Sequence, residues 1–93
     1  MIRSFANSAT RKFVEEFRSD KFPGLDVEDA RELISMINAA QSLKDISPLA
    51  GVGLHALKGN RKGQWAIKVN AGWRICFRLK EGDAFDVEIV DYH

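Results

Sequence analysis

Residues 54–80 read LHALKGNRKGQWAIKVNAGWRICFRLK, and the architecture is read outward from them. Apolar side chains take every second position, at Trp65, Ile67 and Val69, then at Trp73, Ile75, Phe77 and Leu79. A period of two belongs to strands with one buried face. The same stretch holds seven Lys or Arg (Lys58, Arg61, Lys62, Lys68, Arg74, Arg78, Lys80) and no Asp or Glu. Lys68, Arg74 and Arg78 fall at even positions, between the apolar ones. One sheet face is therefore expected to be core and the other to carry fixed positive charge.

The pattern also predicts a register, because directly opposed residues of an antiparallel pair share a face and apolar sets must meet. A three-residue turn Asn70-Ala71-Gly72 sets Ile67 against Ile75, Trp65 against Phe77 and Lys68 against Arg74. A three-residue turn Glu81-Gly82-Asp83 sets Phe77 against Val87, Ile75 against Ile89 and Arg78 against Asp86. Tyr92 then lies diagonal to Arg74. Like charges directly opposed are destabilising, so Lys68 and Arg74 call for an anion or a nearby carboxylate. Leu54 to Leu57 forms a further strand, and Lys58 to Gly63 a polar, glycine-flanked connection.

Upstream, Ile2 to Phe5 is short and β-prone. Asn7 or Ser8 caps a first helix whose stripe is Ala9, Phe13 and Phe17, with Val14 beside it, stopped by Pro23-Gly24. Asp26 caps a second helix. Glu28 and Asp29 in its first turn suit the helix dipole, and Val27, Ala30, Leu33, Ile34, Ile37 and Ala40 form an apolar stripe ending near Leu43 or Lys44. Asp45 to Gly53, with its Ser-Pro and glycines, reads as a loop.

Ninety-three residues suit one domain, residues 1–93, with one core. The net charge of +1 conceals a division: residues 1–53 are net −1, residues 54–80 are +7 and residues 81–93 are −5. Such clustering suits either a polyphosphate partner or a solvated face neutralised by the acidic last strand. The lone Cys76 excludes an intrachain disulfide and zinc-type cysteine spacing. It is either a small half-buried filler or a reactive thiol. No apolar run approaches the ~18 residues of a membrane span, and the N-terminus lacks a signal-peptide core, so a cytoplasmic location is expected.

The chain closes on Asp91-Tyr92-His93, beside the charged face. RNA cleavage needs a base for the 2′-OH, an acid for the leaving oxygen and cations for charge developing on phosphorus. His55, Asp91 and His93 can transfer protons, and Lys58, Lys68 and Arg74 can supply the cations. Tyr92 can stack on a base. Arg61, Lys62, Lys68 and Asn70 are further candidate RNA contacts.

The pattern His55-x-Leu57-Lys58-Gly59-x-Arg61-x-Gly63-x-Trp65-x-Ile67, then Trp73-Arg74-Ile75-x-Phe77, Gly82-Asp83-Ala84 and Asp91-Tyr92-His93, resembles the HigB-type killer toxins of bacterial toxin–antitoxin modules. These belong to the RelE superfamily, and the opening Met1-Ile2-Arg3-Ser4-Phe5 is similar to theirs. The resemblance implies an α+β fold, with two N-terminal helices packed on a twisted, mainly antiparallel sheet. It implies a ribosome-dependent endoribonuclease that cuts mRNA without metal or other cofactor. It also implies a helix-turn-helix antitoxin of the HigA type, with operator DNA bound only through the toxin–antitoxin complex. Carried over by position, the catalytic set is His55, Lys58, Arg74, Asp91, Tyr92 and His93. His93 or Asp91 would be the base, His55 the acid or a phosphate contact, and Lys58 and Arg74 transition-state cations. Two other readings compete: a non-catalytic RNA- or ribosome-binding module using the same face, and a protein-interaction domain that sequesters a partner.

Overall fold

The computed structural model describes residues 1–50 and 53–91, with side chains excepted at 47–50. In chain order, helices α1 (Ser8–Glu16), α2 (Val27–Ala39) and α3 (Leu43–Ala50) precede strands β1 (Leu54–Ala56), β2 (Trp65–Lys68), β3 (Trp73–Lys80) and β4 (Asp83–Asp91). The strands form one antiparallel sheet in the order β1-β2-β3-β4. Ahead of α1, the N-terminal segment runs parallel to β4 and touches it at Ile2–Ala84 and Phe5–Val87. β4 is thus covered on both sides, and β1 is left as an edge. The architecture is α+β, helices first and antiparallel sheet after.

The helices begin where their caps place them. Asn7 accepts the Thr10 N–H and Asp26 accepts the Asp29 N–H, each satisfying a donor that the first turn leaves open. Phe13 and the α2 residues Ala30, Leu33, Ile34 and Ile37 are buried against Ile67, Trp73, Ile75 and Phe77 of the sheet and Val87 and Ile89 of β4. Phe13, Phe22 and Trp73 stack edge to face, with centroids 5.8 and 5.6 Å apart.

Three local expectations need correction. Phe17 is not part of the α1 stripe. It ends the helix in the left-handed conformation, with φ 58°, and that turn swings its ring out of the core to 73% exposure. α2 stops at Ala39 rather than near Leu43 or Lys44, and a separate helix α3 runs from Leu43 to Ala50, taking in residues 45–50, expected as part of a loop. The Asp45 carboxylate accepts the Gln41 N–H at 2.8 Å, and Ile46 is completely buried. Burial of an anchoring side chain outweighs the weak helix preference of a Ser-Pro pair.

The β2–β3 register is as the apolar pattern predicts: Trp65 opposite Phe77, Ile67 opposite Ile75 and Lys68 opposite Arg74. Between β3 and β4 the prediction holds only at the far end, where Ile75 faces Ile89. The turn has two residues, Glu81 and Gly82, both with positive φ (51° and 82°). This is the hairpin turn whose twist matches the strands. It pairs Lys80 with Asp83 and Arg78 with Phe85, one residue off the expected register. A bulge then restores the register between Arg78 and Cys76, with Asp86 at φ 54°.

Candidate functional site

The sheet has two faces. The inner one packs on the helices. Adjacent partners across the outer one form rows: His55, Ala66, Cys76 and Glu88 in one, and Lys68, Arg74 and Val90 in the next. His55 sits on the edge strand and is exposed, as are Lys58, Lys62 and Lys68. Neither Lys68 nor Arg74 has a carboxylate partner among the described residues.

Arg74 is held from behind. Its Nη1 donates to the carbonyls of Trp73 and Ala71 at 3.1 and 3.3 Å. The turn carrying the Ala71 carbonyl is tied down by Asn70. Its Nδ2 donates to the Gly24 carbonyl at 2.9 Å and its Oδ1 accepts the Asp26 N–H at 2.8 Å. Both ends of the Asn70 amide are therefore engaged at the start of α2. Beside it, the Trp73 indole N–H donates to the Pro23 carbonyl at 3.2 Å.

Arg78 and Arg61 are already matched. Arg78 pairs with Asp86 at 3.3 Å, as its charge suggested, although its backbone partner is Phe85, and it also donates to the Lys62 carbonyl. That contact leaves no room beside Gly63, where an added Cβ would meet Arg78 Nη1 at 2.8 Å and φ is +93°. Arg61, in a short 3-10 turn (Gly59–Arg61), pairs with Glu88 at 3.1 Å and donates to Gln64 at 3.1 Å. Glu88 and Gln64 were not singled out from sequence. The available signal was that Glu88 falls on the outer face, across from Cys76.

His55 and Arg74 lie two strands and one row apart. Strand spacing puts them on the order of 12 Å from each other, too far to act on one proton. Asp91 pairs with Trp73, and the pleat therefore turns its side chain toward the inner-face side, away from Arg74. Lys58 stands in the connection after β1. Tyr92 and His93 lie outside the described residues. Cys76 is fully buried under the outer face, which fits a filler rather than an accessible thiol.

An α+β chain with two cations opposed on one sheet face, neither with a carboxylate partner among the described residues, is similar to known toxins. The model of the family described as RelE-like toxin of type II toxin–antitoxin system HigB matches residues 3–93. The chain belongs to the HigB-like toxin family. It is 33% identical over 93 residues to the endoribonuclease HigB of Proteus vulgaris, with all of both chains covered. In fold it is similar to a YoeB/ParE toxin from Agrobacterium tumefaciens, with TM-score 0.55 and 21% identity over 99% of this chain and 96% of that one. Membership of a type II toxin–antitoxin family implies an antitoxin partner for this chain. Among the described residues, no helix is long and apolar enough to cross a membrane.

Proposed function

We propose that this HigB-like chain is an endoribonuclease that cuts mRNA on the ribosome, using the outer sheet face and the segment that ends β4. The observation that carries the reading is the row Lys68–Arg74: two cations directly opposed, against their own repulsion, with no carboxylate partner among the described residues. A phosphodiester relieves that repulsion, and the relative's name supplies the chemistry.

In this reading Arg74 and Lys58 stabilise charge developing on phosphorus, and Lys68 and Lys62 steer the chain of phosphates. Proton transfer at the 2′-OH falls to His93 rather than to Asp91, whose strand position turns it to the other face, with His55 as a phosphate contact one nucleotide away. Tyr92 stacks on a base. The cations take the charge-stabilising role, so cleavage needs no metal ion and continues in excess chelator. A helix-turn-helix antitoxin neutralises the chain in the cytoplasm and carries it to operator DNA. The test is induced expression in a bacterial host, with new mRNA 5′ ends mapped against the reading frame. Ends in phase with codons are expected from the active chain and absent from Arg74→Ala. Growth arrest without new ends would overturn the reading.

One observation favours a second reading. The described residues bring cations together but no acid–base pair, so the same face would serve a non-catalytic ribosome-binding module. His93→Ala separates the two, losing cleavage but little binding if the chain is an enzyme.

A further inference from the structure

The geometry points to Arg61 and Glu88 as a positioning pair for the cationic face, not as RNA contacts: their ion pair pins the Lys58–Gly63 connection across the sheet and so presents Lys58 and His55. This rests on the ribonuclease reading above.

Besides Arg61, one other side chain ties the connection to the sheet, Arg78, which donates to the Lys62 carbonyl at 3.3 Å. From Lys58 to Gly63, every residue is exposed except Arg61. Its backbone closes on itself, with Leu57 N–H donating to the Gln64 carbonyl at 2.9 Å and Lys62 N–H to the Gly59 carbonyl at 3.1 Å. No apolar side chain between these points anchors it. Arg61 does so by reaching from the β1–β2 connection to Glu88 on β4, two strands away. Strands lie about 4.8 Å apart, so the side chain must cross the row of Ala66 and Cys76. Both are buried on a face that the helices do not cover, at 3% and 0% exposure.

The carboxylate is itself fixed from both sides. Glu88 Oε1 accepts from Arg61 at 3.1 Å, and Oε2 accepts from Asn7 Nδ2 at 3.5 Å. The other end of the Asn7 amide caps α1. The connection is thereby referenced to a helix N-terminus on the far side of β4. The pair is less exposed than its neighbour: 30% and 23% for Arg61 and Glu88, against 41% and 52% for Arg78 and Asp86. Partial burial protects it from the screening that makes exposed pairs weak.

Glu88→Gln separates positioning from contact. A positioning role predicts a fall in turnover on translating ribosomes of roughly tenfold. It also predicts a steeper salt dependence of single-stranded RNA binding, by about 0.7 in log–log slope, because the released Arg61 gains a phosphate. Arg61→Ala then loses turnover to the same extent, with its salt slope unchanged. The charge-reversed double variant, Arg61→Glu with Glu88→Arg, recovers most of the loss. A direct RNA contact by Arg61 predicts the opposite: a shallower slope in Arg61→Ala and full turnover in Glu88→Gln, and either result overturns the proposal. Hydrogen exchange in the free protein gives a readout without RNA. The Leu57 amide should exchange faster in both single variants, while amides of β3 do not change. Unchanged exchange at Leu57 would remove the pinning role even if ribosomal cleavage is altered. Failure of the unaltered chain to cut mRNA would instead count against the ribonuclease reading, leaving the exchange result to stand or fall alone.

Discussion

The two faces of one sheet are built on different physics. Behind it, Phe13, Leu33, Ile37, Ile75 and Phe77 exclude water, and no charge is needed to specify their packing. In front, shape is kept by a few directional contacts: Arg61 to Glu88, Arg78 to Asp86 and Arg74 to turn carbonyls. The inner face gains free energy in proportion to area removed from water, on the order of 25 cal/mol per Å². The outer face gains little, since an exposed ion pair contributes less than about 1 kcal/mol. Changes behind the sheet should therefore register as stability, and changes in front as activity at nearly constant stability.

The largest break expected is behind. Phe13→Ala removes a fully buried ring and should cost about 3–5 kcal/mol in chemical denaturation. A loss below about 1 kcal/mol would mean that helix–sheet packing is not what holds the molecule together. In front, His93→Ala should reduce ribosomal mRNA cleavage by about 100-fold or more, equivalent to about 2.7 kcal/mol of barrier, with the thermal midpoint unmoved. Arg74→Lys keeps the charge but loses the fork that grips both the turn carbonyls and a phosphate. A fall in cleavage of roughly tenfold is expected, with a salt slope for RNA binding like that of the unaltered chain. Equal cleavage by Lys and Arg at this position would reduce Arg74 to a point charge. The smallest effect falls on the turn between the two faces. Ala71 has φ 48°, where a side chain is unfavourable. Ala71→Gly relieves a strain of about 1–2 kcal/mol and loses about 0.4–1 kcal/mol to the more flexible unfolded chain, so a net stabilisation of about 1 kcal/mol or less is expected, provided the Arg74 contact to that carbonyl persists, and cleavage should not change.

Much of this was legible beforehand, for reasons that differ by residue. The β2–β3 register follows from a period-two pattern so regular that a slip would expose Ile75 and bury Arg74. Asn7 and Asp26 announced their helices because N-capping is a local matter of side-chain chemistry. α3 was not legible, because its stability comes from Ile46 meeting a core that residues 43–50 do not themselves encode. Phe17 misled for a related reason: spacing placed it on the stripe, but the chain left the helix one residue too soon. At the candidate site, the opposed pair Lys68–Arg74 could be deduced, and so could the attraction of Arg78 to Asp86. The Arg61–Glu88 pair could not. It joins residues 27 apart through a connection with no periodicity, so only the folded backbone shows that they meet. Asn70 carried the same ambiguity, since an amide beside cations suits RNA as well as it suits the start of α2.

The bulge at Asp86 has a consequence for variation. The tight Glu81-Gly82 turn leaves the last hairpin out of step with its apolar pattern by one residue, and the bulge takes up that residue before Ile89 is reached. Turn length and the alignment of the strand's far end are thereby decoupled, as a slip joint decouples the two sections of a pipe. A lineage could lengthen or shorten the turn, compensate at the bulge, and hand Glu88 and Asp91 to the same neighbours as before. The hairpin tip can then drift while the working end stays in register.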